Sequence, residues 1–204
     1  MRRTGNAVRN VIFGGLLKGY QILLPFVMRT LLIRHLGMEY LGLNSLFTSV
    51  LQILNLAELG VGSAMIYSMY APIAANRPEE ICALLGLYRK YYRCIGLAIL
   101  GMGLLLLPFL PVLVRTDSVP AGVNLQMLYL LHLGGCVISY WLFAYKNSLL
   151  AAHQRSDLAS KADLAVRTLQ YLLQAGLLIA FRNYYWYLLA ALGAQILTNL
   201  CTAL

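Results

Sequence analysis

Long apolar runs are the feature that most constrains what this chain can fold into. Runs of at least about 18 mostly apolar residues recur along the sequence, and a helix of that length crosses the hydrocarbon core of a bilayer. Of the 204 residues, 60% are hydrophobic and 11% are charged, so the polar residues are too few to coat a water-soluble core. The runs are continuous rather than alternating, which indicates helices rather than strands. The sequence therefore predicts an all-α integral membrane protein.

Six spanning helices follow from the lengths and limits of the apolar runs. They are predicted at 11–34, 42–70, 94–114, 124–148, 162–181 and 185–204. The segment NRPEEICALLGLYRKYYR, between the second and third spans, has apolar residues at helical spacing on one side and basic residues on the other. That pattern predicts an amphipathic helix in the membrane interface, leading into the third span.

The distribution of Lys and Arg predicts the orientation of the spans. One side carries Arg2, Arg3, Arg9, Arg77, Arg89, Lys90, Arg93, Lys146, Arg155, Lys161 and Arg167, whereas the other side carries Arg34, Arg115 and Arg182. Because basic loops stay in the cytoplasm, we expect both termini there. Topology and anionic lipid headgroups then account for the net charge of +9, so we expect membrane lipids rather than nucleic acid as partners.

Polar residues inside the first two spans align in stripes. At 100° per residue, Lys18, Gln21 and Arg29 fall within a band about 80° wide on the first helix. Asn44, Thr48, Asn55 and Glu58 fall within a similar band on the second helix. A charge at mid-bilayer costs at least about 2.5–3.5 kcal/mol on insertion scales, so such alignment indicates a shared wet or protein-lined interior. The candidate ligand-binding residues are Lys18, Gln21, Arg29, Asn44, Asn55 and Glu58.

Most of these residues also have a purely structural interpretation. Arg29 could extend outward to the interface, and Asn44 and Asn55 could form hydrogen bonds between helices. Glu58 could balance the charge of an interior cation without contacting a substrate. The glycines that follow it, Gly60 among them, fit either a close helix approach or an unwound segment.

Catalytic and metal-binding patterns are missing from the sequence. It has no DxD pair, HExxH, GxSxG or phosphate-binding glycine loop. The four cysteines are scattered, with no CxxC, and His132 lies in an apolar span, where packing is the expected role. We therefore expect no enzymatic activity, no cofactor and no metal.

One long block of sequence carries a family resemblance. It is residues 36–75, LGMEYLGLNSLFTSVLQILNLAELGVGSAMIYSMYAPIAA, in which LG-x-EYLGLN-x-LFTS and LAELG-x-GSA are the most specific parts. The chain resembles the N-terminal part of the polysaccharide-transport branch, the Wzx-type flippases, of the multidrug/oligosaccharidyl-lipid/polysaccharide exporter superfamily. The resemblance covers most of the chain and is densest through the first three helices.

This resemblance implies a V-shaped exporter of two pseudo-symmetric lobes with about 12–14 helices in all. Residues 1–204 would form the N-terminal six-helix lobe, so we expect either a missing C-terminal lobe or a homodimer that completes the cleft. The implied activity is alternating-access translocation of undecaprenyl-diphosphate-linked oligosaccharide across the bacterial cytoplasmic membrane, for surface polysaccharide biosynthesis.

The resemblance also suggests roles for the polar stripes. Lys18 and Arg29 would bind the diphosphate, with Gln21 and Asn55 as neutral donors to sugar or phosphate. Glu58 would compete for these cations or titrate with a coupled ion, either a proton or sodium.

Two other functions remain open from the sequence. A cation-coupled efflux pump of the same superfamily should favour an acidic and aromatic lumen, whereas here interior cations outnumber the acid two to one. A half-length, inactive membrane protein that serves as a structural partner is the other alternative.

Overall fold

The computed structural model describes the backbone of residues 2–58, 60–114, 122–142 and 156–203, together with positions 120, 146, 148, 149 and 152. Side chains are described from residue 19 to residue 201 within these ranges, except at 57 and 156–162. The described chain is all-α, which confirms this part of the prediction. Its helices are α1 (Arg2–Leu36), α2 (Met38–Asn55), α3 (Val61–Ala74), α4 (Pro78–Leu106), α5 (Leu110–Leu113), α6 (Leu125–Trp141), α7 (Ser156–Phe181) and α8 (Tyr184–Ala203).

Short connections make α1 and α2, and likewise α7 and α8, antiparallel neighbours. Gly37 alone joins α1 to α2, and its φ of 107° lies in the region that favours glycine. Its backbone N–H donates to the carbonyl of Ile33 at 3.0 Å, which closes the end of α1. Two residues, Arg182 and Asn183, join α7 to α8. The chain therefore folds as a bundle of helices that run up and down.

The segment predicted as one span at 42–70 is broken in the middle. A single turn of 3₁₀-helix occupies Leu56–Glu58, between the end of α2 and the start of α3. Gly60 has a φ of 87°, a left-handed conformation that a helix interior does not contain. Its carbonyl accepts a hydrogen bond from the Ser63 hydroxyl at 2.9 Å. Of the two roles open for the glycines after Glu58, the structure shows the helix interruption.

The predicted interfacial helix and third span form one continuous helix, α4. Pro78 occupies its first turn, where the missing N–H of proline is tolerated. The helix ends at Leu106, two residues before Pro108, and a 3₁₀ turn over Leu107–Phe109 leads into α5. The end of α4 therefore coincides with Pro108, which cannot donate a backbone hydrogen bond to a continuing helix.

Glycines bring α4 and α6 into close contact. A Cβ atom added to Gly103 would lie 2.4 Å from Leu133 Cδ1, and one added to Gly96 would lie 2.5 Å from Trp141 Nε1. The Tyr129 hydroxyl also donates to the Gly103 carbonyl at 3.0 Å. These contacts hold α4 against the outside of α6, while α1, α2, α6, α7 and α8 surround an open space.

The outside of the bundle is apolar on every long helix. Exposed fractions of described side chains reach 71% at Phe26, 79% at Tyr67, 72% at Leu105 and 67% at Leu172. Among the described residues, two segments, Pro78–Leu113 and Asp163–Phe181, meet strict criteria of length, hydropathy and low charge for a membrane span. Two such segments are weak support for six spans, so the six-span arrangement stays a prediction.

Candidate ligand cavity

The open space between five helices is a polar cavity of about 790 Å³, termed here the ligand cavity. Residues of α1, α2, α6, α7 and α8 line it. Its polar lining consists of Arg29, Asn44, Thr48, Gln52, Asn55, His132, Ser139, Arg167, Gln170, Tyr171, Gln174, Tyr187 and Gln195. Such a density of amide and hydroxyl groups is unusual for the centre of an apolar bundle. It makes this cavity the candidate binding site.

The charge of the ligand cavity is positive. Arg29 and Arg167 line it, and no carboxylate does among the described residues. Arg29 has no hydrogen-bond or ion-pair partner in the described part of the chain; it lies close enough to Tyr187 to act on it electrostatically. Arg167 differs, because its Nε donates to Asp163 Oδ2 at 2.7 Å. Among the described residues, the cavity thus contains one unpaired cation, Arg29, and one paired cation, Arg167.

The amide groups of the ligand cavity fall into two sets. Gln174 is 2% exposed and fixed in the wall, since its Nε2 donates to the Tyr187 carbonyl at 3.1 Å. Gln52 and Gln195 are exposed to the cavity, and neither has a hydrogen-bond partner among the described residues. An amide offers both donors and an acceptor, so these two side chains can bind hydroxyl groups of a ligand.

Aromatic residues pack around His132 and Tyr187, which line the ligand cavity. Tyr184 and Tyr187 stack with ring centroids 5.7 Å apart, and the Tyr184 hydroxyl donates to Asn44 Oδ1 at 2.9 Å. His132 Nε2 lies 3.5 Å from the same hydroxyl, and its ring centroid is 5.6 Å from that of Phe47. His132 therefore packs against aromatic rings, as expected, while also contributing to the cavity wall.

The structure brings three of the six predicted ligand-binding residues together. Arg29, Asn44 and Asn55 all line the ligand cavity. Gln21 lines a smaller cavity of about 270 Å³ between α1 and α7, which shares Pro25, Arg167 and Tyr171 with the larger one. Lys18 lies within α1, but its side chain is outside the described residues.

Glu58 lies in a different environment from the one predicted. Its Oε1 accepts a hydrogen bond from the Tyr92 hydroxyl of α4 at 2.8 Å, and Tyr140 of α6 also interacts with the carboxylate. Tyr140 and Cys136 in turn donate to Asn55 Oδ1, both at 3.1 Å. We call these five residues the break cluster, because they surround the interruption between α2 and α3. Glu58 is not among the described residues that line the ligand cavity beside Arg29.

Sequence reasoning missed the contributions of α7 and α8. Arg167 was counted with the cytoplasmic charges, but the structure places it on the wall of the ligand cavity. A periodicity signal was available, because Arg167, Gln170 and Gln174 recur every three or four residues and so share one face of α7. Gln195 on α8 is the other polar group missed.

The described residues contain no group of three or more His, Cys, Asp or Glu side chains placed to hold a metal ion. A comparison of the chain with protein-family models, curated proteins and solved structures found no match. The class defined by fold and site is therefore an all-α bundle with an apolar exterior and a cationic, amide-rich cavity. The resemblance to polysaccharide exporters stays a prediction.

Proposed function

We propose that this chain is a membrane-embedded lobe of an exporter that carries a diphosphate-linked, lipid-anchored oligosaccharide across the bacterial cytoplasmic membrane. One observation carries the proposal: an apolar bundle surrounds a large cavity in which Arg29, Gln52 and Gln195 have no hydrogen-bond partner among the described residues. The sequence resemblance names the ligand as undecaprenyl-diphosphate-linked oligosaccharide. The chemistry of the cavity supports the same ligand class independently.

The apolar exterior supports a membrane location. Large side chains such as Phe26, Leu105 and Leu172 are mostly exposed, and water contact with apolar area costs about 25 cal/mol per Å². Exposed large apolar side chains recur along the long helices, and an extended exposed apolar surface marks a contact with a membrane or another protein. A bilayer removes this cost, and the basic side predicted from the sequence then faces the cytoplasm with both termini.

Arg29 supports a phosphate-containing ligand. Its guanidinium presents several N–H donors in a planar fork, which matches the oxygens of phosphate. Away from bulk water the attraction between opposite charges is stronger, so an unpaired arginine in a bundle interior favours an anion. The absence of a carboxylate from the described cavity lining disfavours the alternative of an efflux pump for organic cations.

The free amides and the tyrosines support a sugar-containing ligand. Gln52 and Gln195 can each donate and accept, and hydroxyl groups of a sugar require both. Tyr171 and Tyr187 add aromatic surface and hydroxyl groups to the same cavity. A second lobe, or a second copy of this chain, would supply the facing wall during transport.

Binding of a lipid diphosphate tests the proposal. The full chain, purified into lipid nanodiscs, is titrated with undecaprenyl diphosphate and with the oligosaccharide-linked lipid, and the affinity is compared with that of R29Q. We expect R29Q to weaken binding by at least about tenfold, because a charge-assisted hydrogen bond contributes about 1.5–3 kcal/mol.

Arg34→Gln is the matched control. Arg34 is an exposed arginine on the same helix that does not line the ligand cavity. Its substitution removes the same charge and should leave the affinity within about twofold. Equal loss in both variants, or full binding in R29Q, would exclude the ligand cavity as the anion site.

A further inference from the structure

Arg167 lies where two cavities meet. Its side chain lines the ligand cavity and also the smaller cavity between α1 and α7, which contains Asp163 and Gln21. The Arg167 side chain is 50% exposed and the Asp163 side chain is 28% exposed. Both groups are therefore accessible from the cavities, and neither is buried in the packed core.

The guanidinium of Arg167 is only partly used by its partners. Its Nε donates to Asp163 Oδ2 at 2.7 Å, and it also interacts with Tyr171. A guanidinium carries five N–H donors, so these contacts leave donors available to a further anion. The segment of α7 that carries Arg167 contacts α1 at the next residue, where the hydroxyls of Tyr20 and Thr168 lie 2.5 Å apart.

We infer that Arg167 is a second anion subsite, for a phosphate or diphosphate group, and that the Asp163 carboxylate occupies it until a ligand anion takes its place. Carboxylate and phosphate oxygens compete for the same N–H donors, because both form charge-assisted hydrogen bonds with guanidinium. Asp163 also repels an incoming anion. A ligand anion must therefore displace the Asp163 carboxylate from Arg167. A multiply charged diphosphate does so more readily than a singly charged group.

Arg29 and Arg167 differ in whether an anion already occupies the guanidinium. Arg29 can bind an anion directly, whereas Arg167 becomes fully available only when Asp163, on the same helix, no longer accepts its hydrogen bond. An anion would thus bind first at Arg29 or wherever it enters, and displacement of Asp163 would open the second position. The identity of the physiological ligand rests on the proposed function, but the competition for Arg167 does not.

Substitution of Asp163 by Asn tests the competition, since it keeps the shape and removes the charge. Inorganic pyrophosphate is titrated calorimetrically into the full chain in nanodiscs, and thermal unfolding midpoints verify that each variant is folded. We expect D163N to bind pyrophosphate about three- to tenfold more tightly than the wild type, because the lost pair is partly exposed. R167Q should bind pyrophosphate more weakly than the wild type, and the double variant D163N/R167Q should not show the tighter binding of D163N.

The exposed pair Arg77–Glu80 supplies the control. Its N–O distance is 2.8 Å, and neither residue lines the two cavities. Glu80→Gln should therefore leave pyrophosphate binding unchanged.

Three results would overturn the inference: unchanged or weaker binding in D163N, a gain that persists in the double variant, or no pyrophosphate binding in any variant. A D163N gain without any binding of the oligosaccharide-linked lipid would instead remove the proposed function and leave the subsite standing.

Discussion

Two polar regions inside the same bundle differ in how their hydrogen-bonding groups are used. In the break cluster, the carboxylate of Glu58 accepts from Tyr92, and Asn55 accepts from both Tyr140 and Cys136. In the ligand cavity, the side chains of Arg29, Gln52 and Gln195 have no hydrogen-bond partner among the described residues. The first region is internally satisfied, and the second has free donors and acceptors.

This difference separates groups that serve the fold from groups that serve a ligand. A polar group in apolar surroundings costs free energy unless it is hydrogen-bonded, so satisfied groups fix helix positions. Unpaired groups in a large cavity are solvated until a ligand replaces the water. We therefore expect substitutions in the break cluster to affect stability, and substitutions in the ligand cavity to affect binding.

Glu58→Ala should have the largest effect on stability. The Tyr92 side chain is 5% exposed, and it would lose the acceptor for its hydroxyl, at a cost of about 1–3 kcal/mol. The unfolding midpoint of the purified chain in nanodiscs should fall by several degrees, while undecaprenyl diphosphate binding stays within about twofold. Glu58→Gln keeps an oxygen that can accept from Tyr92, so its unfolding midpoint should fall less than that of Glu58→Ala.

Glu80→Ala is the matched control for that loss, because Glu80 pairs with Arg77 on the surface and should contribute less than about 1 kcal/mol. An unchanged midpoint in E58A, or a binding loss as large as that of R29Q, would mean that Glu58 belongs functionally to the cavity.

Asn55→Ala should have a mixed effect, because Asn55 lies in both regions. Its loss removes the acceptor for Tyr140 and Cys136, which should destabilise the chain by about 1 kcal/mol. It also removes a cavity amide, so affinity for the oligosaccharide-linked lipid should fall about two- to threefold. Unfolding and binding measured on the same preparation check both expectations. An effect confined to either one would assign Asn55 to a single region.

Gln195→Leu should have the smallest effect on stability, since no described partner loses a hydrogen bond. The unfolding midpoint should stay within about 1 °C, whereas affinity for the oligosaccharide-linked lipid should fall about threefold, as expected for one neutral hydrogen bond. Undecaprenyl diphosphate without sugar should bind as to the wild type. A marked drop in the midpoint would show that Gln195 is structural.

Periodicity on the first two helices predicted three of the residues that line the ligand cavity. Arg29, Asn44 and Asn55 were found because each helix is regular up to these positions, so equal angular steps place them correctly. Glu58 does not line the cavity that Arg29 lines, because equal angular steps do not continue through the 3₁₀ turn of Leu56–Glu58, where the helix is no longer regular.

The contribution of α7 could not be predicted from charge counting. Arg167 lies close to the predicted start of its span, so it was grouped with the cytoplasmic residues. Which face of α7 points inward depends on contacts between distant segments, such as the one between Tyr20 and Thr168. Local sequence patterns do not contain that information, although the spacing of Arg167, Gln170 and Gln174 marks the face itself.

The most direct measurement is to locate the diphosphate end of the ligand on the chain. An undecaprenyl diphosphate analogue with a photoreactive group beside the diphosphate is crosslinked to the full chain in nanodiscs, and labelled peptides are identified by mass spectrometry. We predict labelling of α1 around Arg29 and of α7 around residues 167–174, with strong reduction in R29Q. Labelling confined to the outer face of α4 at residues 97–105, or equal labelling of R29Q and wild type, would contradict the account.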